Sequence, residues 1–145
     1  MGHPERNPAH VGRRYPVAGV NSPHRVSFFK SFRFAAEGLV YVFQSQCNFR
    51  VHLAVATAVG LVGLWLRLPM LSWAILALTV GTVLVTEIFN TAAESLVDLV
   101  SPGYHPIAKR IKDLTAGAVL VVAIVSVVVG LLILGPPLLA KLGIT

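Results

Sequence analysis

Three apolar runs constrain this chain more than any other feature. They cover residues 51–66, 71–98 and 114–135, and proline-containing breaks separate them: RLP at 67–69, SPGYHP at 101–106 and GPP at 135–137. Each is long enough, or nearly so, for the roughly 20-residue helix that a ~30 Å hydrocarbon core requires. In lipid every backbone polar group must find a partner within the structure, and an isolated segment achieves this only as a helix. A 55% hydrophobic content, with 12% charged residues and a mean hydropathy of +0.75, excludes an ordinary soluble domain of this size. The fold class expected is an all-α membrane protein.

The rest of the chain is amphipathic or polar. Residues 28–48, FFKSFRFAAEGLVYVFQSQCN, mix aromatics with Lys30, Arg33 and Glu37, as expected for an amphipathic surface helix. A soluble cap helix is the alternative for the same face. Residues 1–27 contain Pro4, Pro8, Pro16 and Pro23 among Gly, Asn and Arg, and read as a disordered basic tail ahead of a single membrane domain at 28–145. No cleavable signal peptide is expected from so polar a start. The lone Cys47 cannot form an intrachain disulfide.

Orientation follows from the basic residues. Seven of them (Arg6, Arg13, Arg14, Arg25, Lys30, Arg33 and Arg50) precede the first span, and Lys109, Arg110 and Lys112 lie between the second and third. Only Arg67 and Lys141 fall on the other side. The positive-inside rule then puts the amino terminus in the cytoplasm and the carboxyl terminus outside. Anionic headgroups account for the net charge of +6, so no nucleic-acid partner is expected.

The second span is not purely apolar, for it contains TEIFNTAAESLVD at 86–98. With a helical rise of 1.5 Å per residue, Glu87 lies about 24 Å from a start at residue 71, roughly 6 Å inside the cytoplasmic boundary. Glu94 is about 10 Å further on, at headgroup level, and Asp98 reaches water. Positions 87, 94 and 98 share a narrow stripe with Asn90 and Thr91 beside it. For Thr86, Asn90 and Thr91 an interhelical hydrogen-bonding stripe is an equal alternative. An intramembrane carboxylate costs several kcal/mol, which favours a functional role for Glu87.

IAKRIKDLTAGAVL places Lys112 and Asp113 at the cytoplasmic start of the third span. Asp113 as a helix cap with a snorkelling Lys112 is one account. The other joins both to Glu94 and Asp98 as the carboxylates and lysine that a polyphosphate with Mg²⁺ needs. Tyr104 and His105, in the Pro-flanked loop, read as solvated. The chain has no GxxxxGK[ST] loop, no protein-kinase signature and no zinc-spaced Cys/His cluster.

EIFNTAAESLVD followed by AKRIKDLTAGAVL, with AAEGLVYVFQSQCNFRVH upstream, resembles the small prokaryotic diacylglycerol kinase and undecaprenol kinase family over residues 30–137. The resemblance implies a surface helix plus three transmembrane helices, assembled as a homotrimeric bundle in the bacterial inner (cytoplasmic) membrane. It also implies ATP- and Mg²⁺-dependent phosphorylation of a lipid alcohol, diacylglycerol or undecaprenol. By motif, Glu87 corresponds to the catalytic base and Asn90 to its neighbour at the reacting centre. Glu94 corresponds to a metal and phosphate ligand, and Asp98, Lys112 and Asp113 to nucleotide-site residues. Gln46 stands where many members carry a metal-binding Glu; its amide oxygen can still coordinate Mg²⁺, without a charge. An ion- or proton-conducting protein and a non-catalytic assembly protein are the alternatives. A relay needs polar groups across the whole bilayer, however, and the outer halves of the spans are apolar.

Overall fold

A computed structural model describes residues 28–144, which form four helices: α1 (Phe28–Ser45), α2 (Cys47–Leu66), α3 (Met70–Val100) and α4 (Pro106–Lys141). The basic tail expected at 1–27 lies outside the described residues. At 1.5 Å per residue, α2 is about as long as a bilayer core is thick, while α3 and α4 exceed it by ten residues or more. All three are long and apolar enough to cross a membrane. Their outward side chains are mostly exposed in the single chain. The core is correspondingly small: Phe49, Leu76, Val83, Val97 and Val119 are its buried apolar residues, with Val42 from α1.

α1 turns its aromatics outward. Phe28, Phe29 and Phe32 are highly exposed, the Arg33–Glu37 pair closes one turn at 3.2 Å, and Val42 alone is buried. It ends at Ser45, three residues earlier than the expected 48, and Gln46 follows. That residue is extended (φ −107°, ψ 115°) and serves as the N-cap position of α2. The joint is a one-residue corner, held by the Gln46 N–H bonding to the Val42 carbonyl at 2.9 Å.

The α2–α3 turn is equally tight. Arg67 takes the left-handed conformation (φ 57°), and the Arg67 and Leu68 N–H groups donate to the carbonyls of Leu64 and Gly63. This ends the helix as a glycine ordinarily would. Gly63 faces the Trp73 ring so closely that a Cβ there would sit 3.0 Å from it.

α4 departs most from the expected 114–135 span, extending eight residues before it and six beyond. At its start, Pro106 does not break the chain but occupies the first helical turn, where a missing N–H costs nothing. His105 is exposed and outside the helix, as expected, and is also its N-cap, its Nδ1 accepting from the Ile107 N–H at 3.2 Å. The alternative of Asp113 as the helix cap is corrected, since Asp113 lies two turns inside the helix. At the far end the helix runs through Pro136 and Pro137. Two N–H groups are lost near a terminus, and a contact beyond them holds the last turn: Lys141 Nζ donates to the Trp65 carbonyl at 2.7 Å and lies 4.4 Å from the centre of the Trp65 ring.

Candidate active site

Glu87, Asn90 and Thr91 are the buried polar side chains among the described residues, and all three lie on one face of α3. Glu87 is 1% exposed. Neither of its carboxylate oxygens has a hydrogen-bond partner among the described residues, and neither does Asn90 Oδ1. A buried acceptor without a donor is costly, so this arrangement calls for a ligand or a rearranged neighbour.

One turn along, the same face meets more polar surroundings. Asn90 Nδ2 donates to Glu94 Oε1 at 3.2 Å, and Glu94 is half-buried. Asp98, one turn further, is exposed and accepts from Lys112 Nζ of α4 at 2.6 Å. Asp113 pairs instead with Lys109, one turn back on its own helix. Asp98, Lys112 and Asp113 share the wall of a polar cleft of about 250 Å³, together with Tyr104, His105 and Lys109. The carboxylates of α3 thus grade from enclosed to exposed over three turns, ending beside two lysines.

The hydroxyls of α3 do not form the interhelical stripe that the sequence left open. Thr86 donates to the Thr82 carbonyl, Thr91 to that of Glu87 and Ser95 to that of Thr91, all within the helix. Thr79 and Thr82 do the same further along, donating to the carbonyls of Ile75 and Leu78. Gln46 stands apart at the α1–α2 corner, half-buried, with its side chain capping nothing and no polar contact to Glu94, Asp98, Lys112 or Asp113.

Three contributors escape the sequence reading. His105 and Lys109 line the polar cleft because α4 begins at Pro106; the signal was the His-Pro pair, an N-cap followed by proline at the first helical position. His52 of α2 is the third. It sits on the α2 stripe His52, Val55, Ala56, Val59, which faces α3 and α4.

Among the described residues, no three His, Cys, Asp or Glu side chains converge to hold a metal by themselves. The donors one to two turns beyond Glu87, a half-buried carboxylate and an amide oxygen, instead fit Mg²⁺, which is commonly held by one or two carboxylates together with the phosphates of its substrate. The orphaned Asn90 Oδ1 beside Glu94 is consistent with that incomplete donor set.

The family model described as prokaryotic diacylglycerol kinase matches residues 33–134. An undecaprenol kinase of Bacillus subtilis is 42% identical over 111 residues, covering 77% of this chain and 90% of that protein. A diacylglycerol kinase of Synechocystis is 48% identical over 111 residues; the match takes in 76% of this chain but only 63% of that relative's length. A diacylglycerol kinase of Escherichia coli is 31% identical over 99 residues, 68% of this chain and 81% of that protein.

Proposed function

The chain belongs to the prokaryotic diacylglycerol kinase family, and from that premise we propose that it phosphorylates a membrane lipid alcohol, diacylglycerol or undecaprenol, at the expense of ATP. The observation that carries the proposal is the graded face of α3. A fully buried, unpartnered Glu87 lies two turns from a half-buried Glu94 bound to Asn90, with Asp98 and Lys112 beyond them. A lipid hydroxyl rests near the membrane interface, whereas a nucleotide must stay in water. A site that joins them needs this change of environment along one helix.

In this reading Glu87 accepts the hydroxyl proton as the alcohol oxygen bonds to the γ-phosphorus of ATP. The bond from that phosphorus to the β–γ bridging oxygen breaks, and ADP leaves with the electron pair. Phosphoryl transfer asks little covalent chemistry of a protein, so positioning and charge stabilisation dominate. Asn90 orients the reacting centre through its bond to Glu94. Lys112 offers a cation to the phosphates while Asp98 fixes its position, and Asp113 sits with Lys109 on the same cleft. Glu94 and Gln46 are the side chains that would hold Mg²⁺, which when bound neutralises charge on the phosphate oxygens.

The same reading takes the protein as a homotrimer in the bacterial inner membrane, with its amino terminus cytoplasmic and its carboxyl terminus outside. The basic residues near the polar cleft support that orientation, and the apolar outward faces of α2, α3 and α4 leave room for both lipid and further copies. The decisive experiment incubates purified protein with ATP labelled at the γ-phosphate and, in parallel, diacylglycerol or undecaprenol in mixed micelles. Label in either lipid is the expected result; none in both defeats the kinase reading.

A further inference from the structure

We propose that His52 is the positioning residue of Glu87: its imidazole supplies a hydrogen bond that the buried carboxylate otherwise lacks, fixing the oxygen that takes the proton. This rests on the reading of Glu87 as the base. Three observations lead to it.

The first is need. Both Glu87 oxygens are buried without a partner among the described residues. The hydroxyls nearest along α3 are already engaged: Thr91 bonds the Glu87 carbonyl and Thr86 the Thr82 carbonyl.

The second is placement. An apolar cleft of about 370 Å³ runs between α2, α3 and α4, with His52 on its α2 wall and Val83 and Leu84 on its α3 wall. Glu87 lies one turn beyond Val83 on the same buried face of α3. The α2 face that carries His52 and the α3 face that carries Glu87 therefore meet across the α2–α3 seam.

The third is availability. Two other polar side chains lining the cleft, Thr79 and Ser126, donate to carbonyls of their own helices. His52 makes no hydrogen bond among the described residues, and it is only partly buried on the cleft wall. Among the described residues an imidazole N–H is thus an unengaged donor at the seam where an acceptor also lacks a partner, and the proposed bond would join the two.

The test uses the full-length protein, with the wild type, His52→Leu and His52→Gln each assayed against ATP and both lipid alcohols. Leucine removes the donor at similar volume; glutamine keeps an N–H. His52→Leu should lower kcat by roughly ten- to a hundredfold, the size of a lost hydrogen bond to a charged group. KM for lipid and for ATP should change by less than about twofold, since neither substrate loses a contact. His52→Gln should recover most of kcat. Equal losses in Leu and Gln, an unchanged kcat in both, or a raised lipid KM with kcat retained would each overturn the proposal. Infrared spectra give a readout that does not depend on turnover. The Glu87 carboxyl band, identified by its loss in Glu87→Gln, should shift in His52→Leu and return in His52→Gln. An unmoved band overturns the contact even if the wild type phosphorylates nothing, and an inactive wild type by itself defeats only the kinase reading.

Discussion

Lys112 of α4 donates to Asp98 of α3 at 2.6 Å, the one ion pair between helices among the described residues. Its two side chains are 37% and 63% exposed, so as a structural tie it contributes little, on the order of 0–1 kcal/mol. Its position in the polar cleft says more: the pair holds an ammonium beside the exposed end of the carboxylate ladder. Replacing Lys112 with Ala should leave the melting temperature in detergent nearly unchanged and raise KM for ATP about tenfold, as the loss of one charge-assisted hydrogen bond implies. A large loss of thermal stability with unaltered KM would make the pair a structural strut.

Glu87→Gln keeps the size and the buried position of the side chain while removing its capacity to take a proton. Turnover should fall by about 100- to 10,000-fold, the usual range for a general base, with ATP binding and helicity retained. Near-wild-type turnover would remove Glu87 from the chemistry.

Glu94 should behave differently because it is half-buried and already bonded to Asn90. Glu94→Ala deletes a half-buried carboxylate and frees the Asn90 amide. Calorimetric titration should show weaker Mg·ATP binding; unchanged binding would leave Glu94 as a support for Asn90 alone.

Much of this arrangement was legible in the sequence, for identifiable reasons. The end of α2 and both limits of α3 followed closely from apolar runs ending in Arg67-Leu68-Pro69 and Ser101-Pro102, whereas α2 begins at Cys47, four residues before its apolar run. The stripe of Glu87, Asn90 and Glu94 followed from helical spacing alone. The start of α4 did not, because its first two turns are polar and its proline resembles a break although it sits where a helix accepts one. Its end was obscured likewise: Pro136 and Pro137 suggest termination, and only Lys141 meeting Trp65, 76 residues away, reveals continuation. His52 was hidden among apolar neighbours. Its significance depends on which face of α2 meets α3, a fact set by packing between helices.

Gly63 tests that packing at the end opposite the site. A Cβ would approach the Trp73 ring at 3.0 and 3.2 Å and Leu68 at 3.2 Å. For Ala, the helix-propensity gain of about 1 kcal/mol nearly offsets the crowding, so Gly63→Ala should be close to neutral. Valine adds two methyl groups and loses part of that gain, so Gly63→Val should destabilise by ~1–3 kcal/mol in thermal melts. Turnover at low temperature should persist, since the substitution is remote from Glu87. A Gly63→Val protein as stable as the wild type would mean that α2 and α3 part easily at this turn.

Gln46 carries the last expectation. It occupies the corner between α1 and α2, half-buried, with a side chain that caps nothing, and is thus free to turn toward a ligand. An amide oxygen coordinates Mg²⁺ without neutralising it, whereas a carboxylate adds a full charge of opposite sign. If the corner is a metal-binding position weakened by the amide, Gln46→Glu should lower the Mg²⁺ concentration that gives half-maximal activity, with kcat at saturation little changed. Arg50, whose guanidinium contacts the Gln44 carbonyl at 3.5 Å, lies one turn along and would help to accommodate the added carboxylate. Weaker activity at every Mg²⁺ level would instead mean that the site is built around the neutral amide and rejects a further negative charge. That result would defeat the view of Gln46 as a weakened ligand while leaving Glu87 and Glu94 in their roles.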